Sequence, residues 1–304
     1  MKKSFLVDDN FVDTRLDRWF RRNVCEIPQS LIEKNLRKGC IKVNNKKKKS
    51  SYKVKKNDQI SIYNIKFSEN KKAKHKIKYK PTSSELSLSS GMFIENNENF
   101  VVINKPSGIS VQSGTKSKKN ILDILNNTNE FKGTKAYPVH RIDKETTGLL
   151  IVAKNRQYAQ LFTSLFRIRK IHKTYLCIAK GELQKNKGTF KDDLFYYEGT
   201  KKIKTNAITH YSVLDSNNNY SLLKLNPETG RKHQLRKQLL IHGCPVLGDS
   251  KYRITKDTLN KKSQLMLHAY KINFSINNKK YKFFADPTMH FKKMLKEKYL
   301  KTFL

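Results

Sequence analysis

The sequence predicts an α+β protein, with a mixed or antiparallel sheet in its larger domain and a small α/β domain at its N-terminus. Beyond residue 92, strand-like segments outnumber helical ones, and most of them form hairpin pairs. A chain of 304 residues has room for two domains, since domains commonly contain roughly 100–200 residues. A polar stretch rich in Lys and Ser separates the two parts. We therefore expect domains at 13–65 and 92–304, joined by a basic linker at 66–91.

The chain is strongly basic. It contains 64 Lys and Arg against 25 Asp and Glu, a net charge of +39. Because every phosphate contacted by Lys or Arg releases counterions, this charge favours a polyanionic partner. Two alternatives stay open on charge alone: an anionic membrane surface, and a compositional bias that spreads Lys and Asn through the whole chain.

The hydropathy pattern argues against a membrane protein. No apolar run approaches the roughly 20 residues needed to span a bilayer. The first residues, MKKSFLVDDNF, lack the apolar core of a signal peptide. No terminal helix is amphipathic enough to favour surface attachment. We expect a cytoplasmic protein with no membrane partner.

The cysteines do not indicate a metal site or a disulfide framework. Cys25, Cys40, Cys177 and Cys244 are far apart, with no CxxC or His/Cys spacing typical of zinc ligands. They are expected to be small core residues in a reducing compartment.

The N-terminal part predicts two helices followed by short strands. The run TRLDRWFRRN from Thr14 predicts a helix with Leu16, Trp19 and Phe20 on one face. In the second helix, IPQSLIEKNLRKG, we expect Ser30 as the N-cap and Gly39 just after the end. The residues expected inside this second helix are Leu31, Ile32 and Leu36. Strands around Ile41 to Val43 and Ile60 to Ile62 follow, with a turn at Asn44 and Asn45.

The larger part predicts strands interleaved with three helices. Two strands and a Pro-Ser-Gly turn occur in FIENNENFVVINKPSG, and Gly148 to Ala153 is typical of a buried strand. Further strands are expected at 173–179 and in a hairpin that turns at 217–219. Helices are expected in RKHQLRKQLLI, opened by Thr229 and Gly230, and in HFKKMLKEKYLKTFL. The predicted inward residues of the helices are Tyr158, Leu161, Phe162, Leu165, Phe166, Leu235, Leu239 and Leu240.

Asp143 is the main candidate for a functional residue. It lies in a polar turn that leads into the buried strand starting at Gly148, a place where a side chain can be exposed and yet held by a rigid scaffold. From the residues alone, an ordinary turn made by Asp143, Lys144 and Thr146 is the favoured interpretation.

The motif HRIDKETTGLL at residues 140–150 resembles the signature of the RluA-type pseudouridine synthases. Three further stretches resemble that family in the same order: VVINKPSGISV from Val101, KTYLCIAKG from Lys173 and TGRKHQLRKQLLIHGCPVLGDSKY from Thr229. With LMLHAYKINF from Leu265, they cover nearly the whole chain beyond residue 93. The resemblance implies an RNA uridine isomerase that needs no cofactor or metal.

The resemblance also assigns site residues. It implies that Asp143 is the nucleophile at C1′, that Tyr175 stacks on the uracil, and that Arg236 pairs with the aspartate. Further substrate contacts are expected from His140, Arg141, Arg231 and Leu267, with Arg141 filling the gap left by an extruded base. Without the motif, Arg236 is interpreted as a helix-surface charge and Tyr175 and Leu267 as packing residues. Lys237 and Gln238 depart from the family pattern, which puts substrate contacts in doubt.

The segment from Asp13 to Ile62 resembles the S4 RNA-binding module. The resemblance implies RNA-backbone contacts from Arg15, Arg18, Lys34, Arg37 and Lys38, helped by Lys46 to Lys49. For each single lysine, a solvated surface charge remains the simpler interpretation.

Taken together, these resemblances favour a monomeric enzyme that acts on 23S ribosomal RNA. The same chemistry on another rRNA site or on tRNA stays open, and so does a non-catalytic RNA-binding or ribosome-assembly protein. The enzyme requires Asp143, Tyr175 and Arg236, and the sequence contains all three. Asp123 and Asp249 lie outside the signature loop, so replacing either with Asn is expected to retain substantial turnover.

Overall fold

The computed structural model describes residues 2–25, 27–63, 79, 81–82, 86, 90–113, 119–198, 201–254 and 264–301. Contacts divide the chain into two compact units, Met1–Ile77 and Lys78–Leu304. Most of the stretch at 66–91, predicted to be a linker, lies outside the described residues.

In the N-terminal unit, the described residues form two α-helices and a three-stranded antiparallel sheet. Strands β1 (Lys2–Leu6), β3 (Gln59–Tyr63) and β2 (Ile41–Val43) pair in the order β1-β3-β2. Helices α1 (Leu16–Asn23) and α2 (Gln29–Lys38) bury the predicted face of Leu16, Trp19 and Phe20. The helix pair and the turn at 44–45 are confirmed, whereas β1 was not predicted because Lys2, Lys3 and Ser4 show no apolar alternation.

Two details of α2 differ from the prediction. The helix begins at Gln29, directly after Pro28, so Ser30 is inside the first turn and is not the N-cap. Leu31 is 41% exposed. The buried face is set by Ile32 and Leu36, which are four residues apart and stack on one side, and a residue next to Ile32 is rotated away from that side. Gly39 ends the helix in the left-handed region (φ +76°), as predicted.

The C-terminal unit is built on a ten-stranded sheet. Its strands are β4 (Phe93–Asn96), β5 (Phe100–Lys105), β6 (Tyr137–Pro138), β7 (Thr147–Ala153), β8 (His172–Lys180), β9 (Lys187–Glu198), β10 (Lys201–Asn217), β11 (Tyr220–Pro227), β12 (Leu267–Ile276) and β13 (Lys279–Phe284). The main order is β4-β5-β7-β12-β8-β11-β10-β9, with β6 beside β7 and β13 beside β12. All pairs are antiparallel except β7 with β12, so the predicted mixed α+β sheet is confirmed.

The α-helices that lie wholly within the described part of this unit are α3 (Ile121–Leu125), α4 (Arg156–Arg167), α5 (Gln234–Ile241) and α6 (Met289–Glu297). Residues of β7 alternate between two hydrophobic clusters, one containing Phe162 of α4 and the other Ile121 of α3. The strand is therefore covered on both faces, which explains its unbroken apolar run. Within the α4 stripe only Phe162 is fully buried. The other four predicted residues are partly buried at the edge of the cluster.

Helix α5 begins at Gln234, three residues later than predicted, because His233 adopts the left-handed conformation (φ 54°). Thr229 and Gly230 belong to the preceding turn, and Leu240 is only partly buried. Helix α6 ends at Glu297, before the predicted end of the amphipathic run. Cys177 and Cys244 are buried as predicted, whereas Cys25 and Cys40 are partly exposed.

The parallel pair β7–β12 approaches closely at Gly148. A Cβ at this position would lie 2.3 Å from the carbonyl oxygen of Ala269, and the residue has φ +102°. Only glycine satisfies both conditions. This crossing places the start of β7, and the loop before it, beside β8 and β12.

Candidate active site

A cavity of about 540 Å³ opens where the loop before β7 meets β8 and the N-terminal end of α5. We call residues 139–146 the aspartate loop. The cavity contains Asp143 from this loop, Tyr175 from β8 and Arg236 from α5, which are widely separated in sequence. Further residues of its wall are His140, Arg141, Phe166, Lys173, Arg231, His233 and Leu267.

A buried lysine, Lys105, holds one end of the aspartate loop in place. Lys105, at the end of β5, has no solvent exposure, and its Nζ donates hydrogen bonds to the carbonyl oxygens of Pro106 (2.7 Å), Ile109 (3.0 Å) and Lys144 (3.1 Å). Burial lowers the pKa of Lys105 to about 7, against the opposing charges of Glu145 and Asp143. The residue after Asp143 is therefore tied to the Pro-Ser-Gly turn.

His140 fixes the other end of the loop. The backbone N–H of Ile151 donates a hydrogen bond to its Nε2 (2.9 Å), and its ring packs on Phe166 at 4.6 Å between centroids. Burial, assisted by the charge of Lys173, lowers the pKa of His140 to about 3. The ring is therefore neutral, and its Nε2 already accepts a hydrogen bond from the backbone.

Arg236 joins two carboxylates. Its Nε and Nη2 donate to Asp249 at 2.6 and 2.7 Å, and its Nη1 lies 3.4 Å from Oδ2 of Asp143. Asp249 also accepts from the backbone N–H groups of Lys251 (2.8 Å) and Tyr252 (2.9 Å). These donors lower the pKa of Asp249, although burial alone would raise it. The interpretation of Arg236 as a surface charge is wrong, because the side chain is buried.

His233 reaches the same carboxylate from the other side. Its Nε2 lies 3.7 Å from Oδ1 of Asp143, and its Nδ1 is 2.9 Å from the hydroxyl of Tyr252. Tyr252 also packs against the guanidinium of Arg236, 5.1 Å from the ring centroid. Burial lowers the pKa of His233, although the charge of Asp143 opposes this. The turn 249–252 thus holds both groups that face Asp143.

Tyr175 and Leu267 form apolar parts of the wall. Burial, together with the charge of Asp143, raises the pKa of Tyr175 above its ordinary value, so the hydroxyl stays protonated. Leu267 is buried on β12, and a cross-strand contact to Cys177 sets its position. A planar base can pack between such side chains.

The remaining predicted contact residues are divided between the two units. Arg141 is exposed at the cavity, and Arg231 is exposed with its Nε bonded to the carbonyl oxygen of Asn206 (3.2 Å). In the N-terminal unit, Arg18, Arg37 and Lys38 are exposed. Arg15 differs from them, because it holds the buried carboxylate of Asp17 at 2.7 Å.

The two departures from the family pattern lie away from the cavity wall. Gln238 is fully buried, and its amide bonds to Thr209 (2.7 Å), Asp192 (2.8 Å) and the carbonyl of Ala207 (3.1 Å). Lys237 donates to the carbonyl oxygen of Phe195 (3.0 Å). Neither residue lines the cavity.

Five residues that complete the site were not assigned to it from the sequence: Lys105, Lys173, His233, Tyr252 and Asp249, the last of which was expected to be dispensable. All five lie inside the motifs quoted above, and this location was the indication of their importance that the sequence offered. Their roles depend on partners brought together by the fold. No cluster of His, Cys, Asp or Glu suited to a metal occurs among the described residues, and none of the described helices is long and apolar enough to cross a membrane.

Comparison with known proteins agrees with this geometry. The profile of a family described as RNA pseudouridylate synthase matches residues 99–240. The chain is 35% identical over 275 residues to a Rickettsia conorii protein named ribosomal large subunit pseudouridine synthase C, covering 87% of this chain and 90% of the relative. A Buchnera aphidicola protein of the same name is 30% identical over 293 residues, covering 88% of both. Among solved structures, human RNA pseudouridylate synthase domain containing 4 superposes with a TM-score of 0.62 at 26% identity, covering 72% of this chain and 98% of that one.

Proposed function

The chain belongs to the RNA pseudouridylate synthase family and is an RNA pseudouridine synthase, and from this premise we propose that it isomerises specific uridines of 23S ribosomal RNA. The names of the relatives from Rickettsia and Buchnera support this substrate. The net charge of +39 suits a large polyanion. Because the substrate is ribosomal RNA, we place the enzyme in the cytoplasm.

The reaction breaks the bond between N1 and C1′, turns the uracil, and joins C5 to C1′. In the proposed assignment, the carboxylate of Asp143 meets the positive charge that develops at C1′, as nucleophile or as electrostatic partner. Arg236 orients this carboxylate through its contact of 3.4 Å. Tyr175 supports the uracil ring. The reaction transfers no electrons and no external group, so it calls for no cofactor.

A uridine inside a helix must leave the stack to reach Asp143. We propose that Arg141, which is exposed and lies two residues before Asp143, fills the place vacated by that base. We assign to the N-terminal unit the role of an S4-like RNA-binding module, supported by its helix pair and by the exposed Arg18, Arg37 and Lys38. Such contacts position the RNA without reading its sequence.

The observation that carries the proposal is the meeting of Asp143, Arg236 and Tyr175 in one cavity. The test is to map pseudouridines in 23S rRNA from cells that lack this chain, complemented with the wild type or with Asp143→Asn. Sites that disappear and return only with the wild type support the proposal. An unchanged rRNA pattern together with loss of pseudouridine from tRNA would move the substrate to tRNA. Restoration by Asp143→Asn would contradict the assigned nucleophile.

A further inference from the structure

Lys173 is a cation in the cavity wall to which no role has been assigned. It lies on β8 two residues before Tyr175, and both side chains line the cavity. Alternate residues of a strand point to the same face, about 6.6 Å apart. Lys173 therefore stands beside the ring that supports the uracil.

The ammonium of Lys173 has no partner among the residues that the structure describes. Within the described ranges, its Nζ makes no hydrogen bond or ion pair, whereas the backbone carbonyl accepts a bond from Asn226 (3.3 Å). The side chain is partly buried, and burial lowers its pKa. A cation that is withdrawn from water without a partner costs free energy, so Lys173 destabilises the protein when no substrate is bound.

Three other cations of the site are bound to protein groups, and the further cations that line the cavity, Arg141, Arg167 and Lys232, are exposed to solvent. Arg236 is held by Asp249 and Asp143, and Lys105 by three carbonyl oxygens. Arg231 is exposed and bonded to the carbonyl of Asn206. Lys173 differs from all three, because it faces the cavity and is free to meet a group brought by the substrate.

We propose that Lys173 is a catalytic residue that stabilises the negative charge developing on the uracil carbonyl oxygens when the bond between C1′ and N1 breaks. This proposal rests on the proposed function. The electron pair of that bond moves to the uracil, where it is shared by N1, O2 and O4, while the carboxylate of Asp143 meets C1′. After C5 has bonded to C1′, C5 loses its proton and N1 gains one, so atoms and electrons balance. Lys173 supplies charge and exchanges no proton.

The position of Lys173 favours the base over a phosphate as its partner. It shares a strand face with Tyr175, the residue assigned to the uracil, it is partly buried, and it is near enough to His140 for its charge to lower the pKa of that ring. Arg141 and Arg231 are exposed, so we expect an RNA backbone that approaches from solvent to meet them before Lys173. A preorganised donor aimed at developing charge in a site shielded from water typically contributes 10²–10³ in rate.

The test compares full-length Lys173→Met with the wild type, and with Lys224→Met as a control for removal of the charge, since Lys224 is exposed on β11. The substrate is an rRNA fragment with a mapped target uridine, measured under single-turnover conditions. We expect the rate for Lys173→Met to fall on the order of 100-fold, with RNA affinity and its salt dependence unchanged. Thermal stability should rise, because an unpartnered cation is replaced by an apolar chain. Lys173→Arg should recover part of the rate.

A second substrate separates a catalytic role from a structural one. Fluorine at C5 makes uracil a better leaving group, so RNA with 5-fluorouridine at the target should depend less on Lys173. The measurement is the loss of unmodified 5-fluorouridine from a nuclease digest, and the rate deficit of Lys173→Met should shrink several-fold. An equal deficit on both substrates would overturn the proposal, as would weaker binding with a reduced salt slope, which indicates a phosphate contact. A wild type inactive on every rRNA fragment would contradict the proposed function instead.

Discussion

Arg236 and Asp249 form a buried ion pair in which both carboxylate oxygens accept from the guanidinium, at 2.6 and 2.7 Å. Only Nη1 remains to approach Asp143, at 3.4 Å. The orientation of the arginine is therefore set by Asp249, and the contact to the proposed nucleophile depends on it. The expectation that Asp249→Asn retains substantial turnover does not fit this arrangement.

We expect Asp249→Asn to lower both stability and turnover. The asparagine presents an amide N–H to a buried arginine, and breaking a buried ion pair typically costs about 3 kcal/mol. Turnover should fall by at least about tenfold, the factor that corresponds to about 1.4 kcal/mol of transition-state stabilisation. The measurements are urea unfolding and single-turnover rates. Asp286→Asn is the control, since Asp286 is 89% exposed and should change stability by less than about 0.5 kcal/mol.

We expect Asp143→Asn to abolish catalysis while leaving RNA binding intact. The substitution keeps the shape of the side chain and removes the charge needed at C1′. RNA tritiated at uridine C5 should release label with the wild type and essentially none with the variant, because C5 loses its hydrogen when it bonds to the sugar. Binding should persist, since affinity comes mostly from phosphates.

The control for Asp143→Asn is Asp123→Asn. Asp123 is in the first turn of α3, where it accepts from Asn120 (2.7 Å), and it does not line the cavity. This variant should keep substantial turnover. Appreciable label release by Asp143→Asn would refute its assignment as nucleophile.

His233 is expected to set an acid limit on the reaction. Burial lowers its pKa below the ordinary 6.5, so the ring is neutral at pH 7. As the pH falls through the lowered pKa, His233 becomes an imidazolium 3.7 Å from Asp143. Its positive charge should offset the negative charge that the carboxylate presents to C1′ and so slow the reaction. In single-turnover rates between pH 5 and pH 8, roughly the window in which histidines titrate, His233→Gln should lack this decline. An identical acid limb in both proteins would exclude His233 as its cause.

Gly148→Ala is expected to disrupt the catalytic sheet. The added Cβ would meet the Ala269 carbonyl oxygen at 2.3 Å, and alanine disfavours φ +102°. We expect a loss of more than about 4 kcal/mol, the size that marks severe backbone strain or overpacking. Thermal unfolding measures it. At Gly91 a Cβ meets nothing within 4 Å, so Gly91→Ala should leave the melting temperature nearly unchanged.

The basic surface of the N-terminal unit is expected to position RNA without touching the chemistry. The triple variant Arg18→Gln, Arg37→Gln and Lys38→Gln should bind rRNA more weakly, with a salt slope reduced by roughly one unit for each phosphate that is no longer neutralised. Saturating RNA should restore the rate. The matched control removes three charges from strand β13 by Lys279→Gln, Lys280→Gln and Lys282→Gln. An equal loss of affinity in both triple variants would show that only net charge matters.

The sequence by itself determined the local elements and the central residue of the site. Apolar runs and stripes predicted β7, β8 and α4, and the motif around Asp143 identified the loop that carries it, because these signals lie within a few consecutive residues. Helix starts were less accurate. Helix α5 begins later than predicted because His233 is left-handed, and helix α2 begins earlier because it starts directly after Pro28. Hydrophobic periodicity does not indicate such backbone conformations.

Only the tertiary structure decided which charges act together. Asp143 and Arg236 are 93 residues apart in the chain, and Lys105 reaches the loop at Lys144 from 39 residues away. Neither separation has a periodic signature. The pairing of β7 with β12 and the packing of α5 bring Arg236 to Asp249 and His233 to Asp143. They also leave Lys173 without a partner among the described residues. Burial and the distance between charges are properties of the folded chain. They determine which side chains of this site bind other protein groups and which can contact a substrate.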